Sequence, residues 1–248
     1  MAKIDLPDTE EWLNDQIDRW HSGEVPAREA GNLHLALGWT AAAYKAWVER
    51  RTPPVQEWRE CAAFRRNAEA FGELSNFYPK AIDLGGGLKA RSGECLFQAL
   101  KFDDPRLQAK LLAATPMQAK AIGMSAPMAY SAAVWDRRRI DAMRCCVYAK
   151  AQQHGEVIDG LIAHADGRPF VESSQRDDFW GAIPKGSVYV GANVLGQCWN
   201  EARALGVTKA ASLPGQAAVK VLQDGFAEVR ELVSRSAIGA QHRRGARR

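Results

Sequence analysis

At 248 residues, with 46% hydrophobic and 25% charged side chains, the chain can bury a sizeable core and has the composition of an ordinary soluble globular protein. No stretch approaches the roughly 18 consecutive apolar residues of a membrane span, and the start MAKIDLPDTEEW lacks the apolar run of a signal peptide. A net charge of +4 is too small to establish a nucleic-acid partner, although Arg137, Arg138 and Arg139 run together and the end HRRGARR holds Arg243, Arg244, Arg247 and Arg248.

The cysteines (Cys61, Cys95, Cys145, Cys146 and Cys198) are odd in number, two are adjacent, and none forms a C-x-x-C pair. That pattern points away from a disulfide framework and a zinc site, toward a reducing, cytoplasmic compartment. His21, His34, His154, His164 and His242 show no metal-ligand spacing either. Neither a metal nor another cofactor is expected.

In chain order, residues 1–58 read as a small helical module. Asp8 or Thr9 can cap a helix carrying Trp12, Leu13, Ile17 and Trp20, which His21-Ser22-Gly23 and Pro26 end. A second helix carries Leu33 and Leu37, and a third, capped by Thr40, carries Tyr44, Trp47 and Val48 until Pro53-Pro54. This has the outline of a helix-turn-helix, but AAAYKAWVERR offers few side chains for base edges, so packing on a neighbour or partner is expected.

Residues 59–205 form the second unit. FRRNAEAFGELSNFYP reads as strand and turn, and GGG at 85–87 as a hairpin turn between AIDL and LKAR. A helical pattern runs from Glu94 to about Leu112, broken at Asp103-Asp104-Pro105, with Pro105 opening its second half. Further helices are predicted from Thr115-Pro116, from Asp136 to about Gln153, from Glu156 to His164 and from Asn193 to Leu205. Residues 206–248 hold one amphipathic helix, with Leu222, Phe226, Val229 and Val233 on one side, and the basic tail. The fold class expected is mostly α (α+β), with a small antiparallel sheet near 64–92.

Two segments could carry chemistry. On a helix starting near Gly93, Glu94, Gln98 and Lys101 fall at i, i+4 and i+7, placing a carboxylate, an amide and an amine on one stripe. A glutamate in a first helical turn also complements the helix dipole, so the stripe alone decides nothing. In DDFWGAIPKGSVYVGANVLGQCWNEAR, Asp178, Trp180 and Gly181 precede a glycine-bearing loop, and Asn193 and Gly196 sit at a helix entry. Free N–H groups at such an entry suit an anion, and Trp180 can stack on a base or bury in the core.

Taken together and in this order, LSNFYP at 74–79, ECLFQALK at 94–101, VWDRRRIDAMRCCVYAK at 134–150 and the D-x-W-G…G-x-N-x-L-G block at 178–196 resemble the NADAR, or YbiA-like, family. The resemblance covers about residues 63–205. It implies an N-glycosidase acting on ribose-type sugars. It also implies Glu94 as catalytic carboxylate, Lys101 as the lysine of the same helix, and Asp178 with them. Asn76, Phe77, Gln98, Trp180, Gly181 and Asn193 would line the pocket, with Trp135 and Asp136 behind and Arg65 placed for a phosphate. The chain departs from the family pattern at Cys95, where a histidine is usual, and in AIPKGSVYV after Trp180-Gly181. The D-x-x-W-G spacing is met from Asp177, a shorter spacing from Asp178; both stay open, with Asp178 favoured.

Cleaving an N-glycosidic bond builds positive charge on the anomeric carbon, which a carboxylate stabilises while activating water. A neutral Lys101 could instead attack to form a Schiff base, or, paired with Glu94, it could merely orient it. The leading expectation is removal of ADP-ribose from guanine in nucleic acid, as an antitoxin to a cognate ADP-ribosyltransferase toxin. The rivals are an N-glycosidase of phosphorylated riboflavin-pathway intermediates and a non-catalytic ADP-ribose-binding module.

Overall fold

Several of the described helices begin where a side chain accepts from their free N–H groups. The computed structural model describes residues 54–127, 129 and 132–235; the helices expected over 1–53 and the arginine-rich end lie outside the described residues. Ser92 Oγ accepts from Cys95 N at the start of α1 (Gly93–Ala99). Asp104 accepts from Arg106 N and Pro105 occupies the first turn of α2 (Pro105–Ala113), as its sequence predicts. Thr115 and Gln118 form a capping box on α3 (Pro116–Ser125).

Next come α4 (Ala132–Gln153), α5 (Gly155–Ala165), α6 (Val194–Ala204) and α7 (Leu213–Gly225), followed by a helical segment over 227–235. The predicted boundaries hold to within a few residues. The long helix begins a turn before Asp136, and the C-terminal helix divides at Phe226. Leu222, Phe226 and Val229 bury as their spacing predicts, whereas Val233 stays exposed.

Helix α4 is the axis of the molecule. Residues 142–150 are buried without interruption, so this stretch packs on all sides rather than along one stripe. It packs against α1, α6 and α7. Its buried Arg144 is compensated by Glu201 of α6 at 2.9 Å and by Asp141 at 2.8 Å. Val207, Ala218, Leu222, Phe226 and Val229 join the core that surrounds α1 and α4, so the segment after 205 shares that core. All five cysteines are free thiols.

The strands are short and form three small sheets. The hairpin of β3 (Ile82–Asp83) and β4 (Lys89–Ala90) is the one predicted, and Gly85, Gly86 and Gly87 all take positive φ in its turn. Two further sheets lie outside the 64–92 window. β1 (Gln56–Trp58), β7 (Val188–Gly191) and β6 (Ile183–Lys185) make a three-stranded antiparallel sheet in the order β1-β7-β6. β2 (Ala62–Phe64) pairs in parallel with β5 (Phe170–Glu172), Phe64 facing Glu172. Strands of three or four residues are too brief for their alternation to stand out in a sequence. Among the described residues, no helix is long and apolar enough to cross a membrane.

Candidate active site

Glu94 is set in place by the loop before it. Its backbone N–H donates to Asn76 O at 2.9 Å. Gly93 permits that approach, since a Cβ there would lie 2.7 Å from Asn76 Oδ1. The loop is itself pinned from below: Trp199 Nε1 donates to Leu74 O at 2.9 Å, and Lys150 Nζ donates to Ser75 O at 2.9 Å and to Glu73 O. The Glu94 side chain, 6% exposed, accepts from Gln98 Nε2 at 2.7 Å. Burial raises its pKa above the ordinary carboxylate value, against the opposing pull of the Gln98 hydrogen bond and the charges of Lys120 and Lys101.

Helix α1 ends at Ala99, and Lys101 follows in a tighter turn closed by Lys101 N donating to Gln98 O at 3.2 Å. Its ammonium lies 5.6 Å from the centroid of the Phe97 ring and 5.9 Å from that of Trp135. Burial lowers its pKa, while the nearby Glu94 charge pulls it up. Glu94 and Lys101 interact as neighbouring charges, with no ion pair between them.

The aromatic residues form a continuous wall. Trp135 tilts against Phe97 at 5.6 Å, Trp180 meets Phe97 edge-on at 5.3 Å, and Phe179 meets Trp180 edge-on at 4.8 Å. The Arg139 guanidinium stacks 3.8 Å from the Phe179 ring centroid.

The glycine-bearing block behaves differently from its sequence reading. Three N–H groups at the entry to α6 are already engaged: Asn193 N, Val194 N and Leu195 N each donate at 3.0 Å, to Gly181 O, Phe179 O and Trp180 O. Those three are therefore not available to an anion. Asn193 does not present its side chain to a pocket. Its Oδ1 accepts from Glu172 N at 2.9 Å and its Nδ2 donates to Phe170 O at 3.0 Å, clamping β5. Gly196 is required by the same contact, since a Cβ there would lie 2.4 Å from Asn193 Oδ1. Gly181 likewise packs against Glu172 O, which a Cβ would approach to 2.6 Å, so there is no room for one.

Between the two aspartates, Asp177 does the local work. Its Oδ1 accepts from Trp180 N at 2.9 Å and Phe179 N at 3.1 Å, which sets the turn that presents both rings. The Asp178 side chain is exposed and makes no hydrogen bond or ion pair among the described residues. Asp136 is also exposed, paired with Arg139 at 3.5 Å. Arg65 is exposed, one residue beyond the Phe64–Glu172 pairing, and forms no ion pair among the described residues. Asn76 holds the Glu94 backbone through its own carbonyl while its side-chain amide donates to Met143 Sδ at 2.9 Å, Gln98 holds the Glu94 carboxylate, Trp135 lies beside Lys101, Trp180 joins through Phe97, and Phe77 meets Lys120.

Two residues here escaped the sequence reading. Lys120 of α3 sits 5.5 Å from the Phe77 ring centroid, and its charge acts on Glu94, Lys101 and Glu172. Nothing in PMQAKAIGMS distinguishes it from a solvated lysine. Glu172 ends β5, with its charge coupled to Asp177, Glu94 and Lys120. An acidic residue closing the apolar run FVE just before DDFWG was the available signal. Among the described residues, no three His, Cys, Asp or Glu side chains gather as a metal site would need.

A family model described as the NADAR domain matches residues 63–205. The chain is 36% identical over 130 residues to a riboflavin biosynthesis protein of Vibrio vulnificus (strain YJ016), 52% of this chain but 34% of that protein, so it spans about a third of that relative's length. It is 31% identical over 143 residues to the N-glycosidase YbiA of Escherichia coli (strain K12), covering 56% of this chain and 84% of that protein. The NMR structure of E. coli YbiA superposes with a TM-score of 0.48 and 28% identity, over 58% of this chain and 84% of that one.

Proposed function

Since the match spans more than half of its residues, the chain belongs to the NADAR family, and from that premise we propose that it is a hydrolase of N-glycosidic bonds that removes ADP-ribose from the guanine amino group in nucleic acid. The observation that carries the hydrolase is the buried Glu94 carboxylate, held at 2.7 Å by Gln98 beside the aromatic wall of Phe97, Trp135 and Trp180. A carboxylate fixed in a poorly solvated site stabilises the cationic anomeric carbon more strongly than it would in water. The wall offers apolar faces and edges to a planar base. These groups, with the neighbouring Lys101, weigh against the reading as a silent ADP-ribose-binding module.

The nucleophile is water activated by Glu94 or the amine of Lys101. The amine route draws support from the lowered pKa of Lys101 and from its lack of an ion pair with Glu94, since attack needs the neutral form. Polyanionic substrate is supported by the net charge of +4 and the arginine-rich end, because phosphate contacts supply affinity. In this reading the protein is a cytoplasmic antitoxin to an ADP-ribosyltransferase toxin. The second reading, a phosphorylated intermediate of riboflavin synthesis as substrate, is favoured by the name of the Vibrio relative, a riboflavin biosynthesis protein.

One experiment separates the two. The protein is incubated with an ADP-ribosylated guanine oligonucleotide and, separately, with the pyrimidine precursor of riboflavin, and released sugar is followed by mass spectrometry. Release of ADP-ribose from the oligonucleotide is expected. Release from the pyrimidine alone assigns the small-molecule reading, and no release from either removes the N-glycosidase.

A further inference from the structure

The strand that ends beside Trp180 carries a second acidic group. In β5, alternation places Phe170 and Glu172 on one face and Val171 on the other. Phe170 belongs to the main core with α1, whereas Val171 packs with Trp58 and Ala182 on the far side. Glu172 therefore projects to the main-core side of the strand, where the Glu94 charge acts on it. Its backbone is fixed at both polar atoms: its N–H donates to Asn193 Oδ1 at 2.9 Å and its carbonyl accepts from Ala182 N at 2.8 Å. The buried amide of Asn193, the close approach of Gly181 and the glycine at 196 all serve to hold this one position.

The carboxyl group itself is left without a partner. It is partly buried and forms no hydrogen bond or ion pair among the described residues. Leaving a carboxylate in such a place costs free energy that an apolar residue would avoid. The groups acting on it are Asp177 from the following turn, Glu94 from α1 and Lys120 from α3, with Arg65 exposed just beyond the neighbouring strand. Burial, then the Asp177 and Glu94 charges, push its pKa up to about 7 against the pull of Lys120.

We propose that Glu172 is the second carboxyl group of the reaction, the acid that protonates the departing nitrogen while Glu94 serves the carbon side. This rests on the N-glycosidase reading. As the bond between the anomeric carbon and nitrogen breaks, its electron pair stays on nitrogen and the Glu172 proton completes the amine. The nucleophile, water or Lys101 Nζ, forms the new bond to carbon and gives up its proton to Glu94. Where Lys101 is the nucleophile, a water molecule then adds its oxygen to that carbon, the bond from carbon to Nζ breaks with its electron pair staying on the lysine, and the free sugar leaves. Solvent finally returns a proton to Glu172 and takes one from Glu94. Two carboxyl groups in unlike environments, one bonded to an amide and one unpaired and proton-bearing near neutrality, divide the acid and base roles.

The test has two arms. The first is a pH titration of side-chain carboxyl resonances in the full chain labelled with 13C-glutamate. A signal titrating near pH 7 is expected, absent in Glu172→Gln and shifted to lower pH in Glu94→Gln, which removes a like charge. Titration of Glu172 in the ordinary carboxylate range overturns the proposal without any activity being needed. The second arm is kinetic, on whichever ribosylated amine the wild type cleaves. Glu172→Gln is expected to lose about 100-fold or more in kcat, with KM little changed, and to lack the fall in kcat above neutrality. Glu172→Asp should recover part of the rate. A Glu172→Gln variant with wild-type kcat and an unchanged pH profile overturns the assignment. Inactivity of the wild type on every ribosylated amine refutes the N-glycosidase itself, a result the titration arm keeps separate.

Discussion

The amide of Gln98 donates to Glu94 Oε1 at 2.7 Å, and the carbonyl end of the same amide rests against the backbone at Gly123, where a Cβ would lie 1.9 Å away. The orientation of the carboxylate thus depends on a missing side chain in another helix. Gly123→Ala is expected to drive Gln98 out of place, costing about 1–3 kcal/mol of stability through overpacking and lowering kcat as well. Adding Gln98→Ala should recover stability but not activity. Thermal melting and turnover of the single and double variants measure this. Equal activity in Gly123→Ala and wild type would detach Gln98 from the mechanism.

Glu94→Gln is expected to abolish measurable turnover, a loss of about 100-fold to 10,000-fold, while the fold persists. The stability effect has a definite sign. Burial raises the folded-state pKa of Glu94, so the folded protein binds this proton more tightly than the unfolded chain. That contribution is present at acid pH and disappears as pH rises through the raised pKa. The neutral variant lacks this pH dependence, so at neutral pH it should melt no lower than the wild type. Calorimetry across pH 4 to 8 checks the slope.

Borohydride added during turnover identifies the nucleophile. Because Lys101 has a lowered pKa and no ion pair with Glu94, a substrate-dependent adduct at Lys101 is expected, located by peptide mass spectrometry. Lys101→Arg, which keeps the charge but cannot form a Schiff base, should remain inactive. Turnover without any adduct, together with activity in Lys101→Arg, returns the attack to water.

Lys150 predicts a rise in stability with pH. It is 2% exposed, and burial brings its pKa down to about 7. Between about 7 and the ordinary lysine value, the unfolded chain holds a proton that the folded chain has shed, so stability increases with pH over that window. The neutral amine still has two N–H donors for the carbonyls of Glu73 and Ser75. Lys150→Met should remove this increase and loosen the loop under Glu94, lowering the melting temperature at every pH. Denaturant titrations from pH 6 to 9.5 test it, and an identical slope in both proteins would sink the assignment.

Much of the helical framework was legible because its signals are local. Pro105 after Asp104, and Thr115 before Pro116, mark helix starts within one turn of chain, and the glycines at 85–87 mark the hairpin. The spacing of Glu94 and Gln98 likewise implied the contact that forms, because residues four apart on a helix must be neighbours. Lys101 lay outside that guarantee, since α1 stops at Ala99 and a tight turn carries the lysine to the rings of Phe97 and Trp135.

What the sequence determined alone was therefore the order of helices, the carboxylate with its amide, and the family pattern that joins them. Tertiary structure decided which groups act on one another across long separations: the Glu94 charge on Glu172, Lys120 over the Phe77 ring, and Asn193 on a strand. Local periodicity constrains neighbours within a few residues, whereas contacts between distant segments follow from how their surfaces pack, which spacing along the chain does not encode.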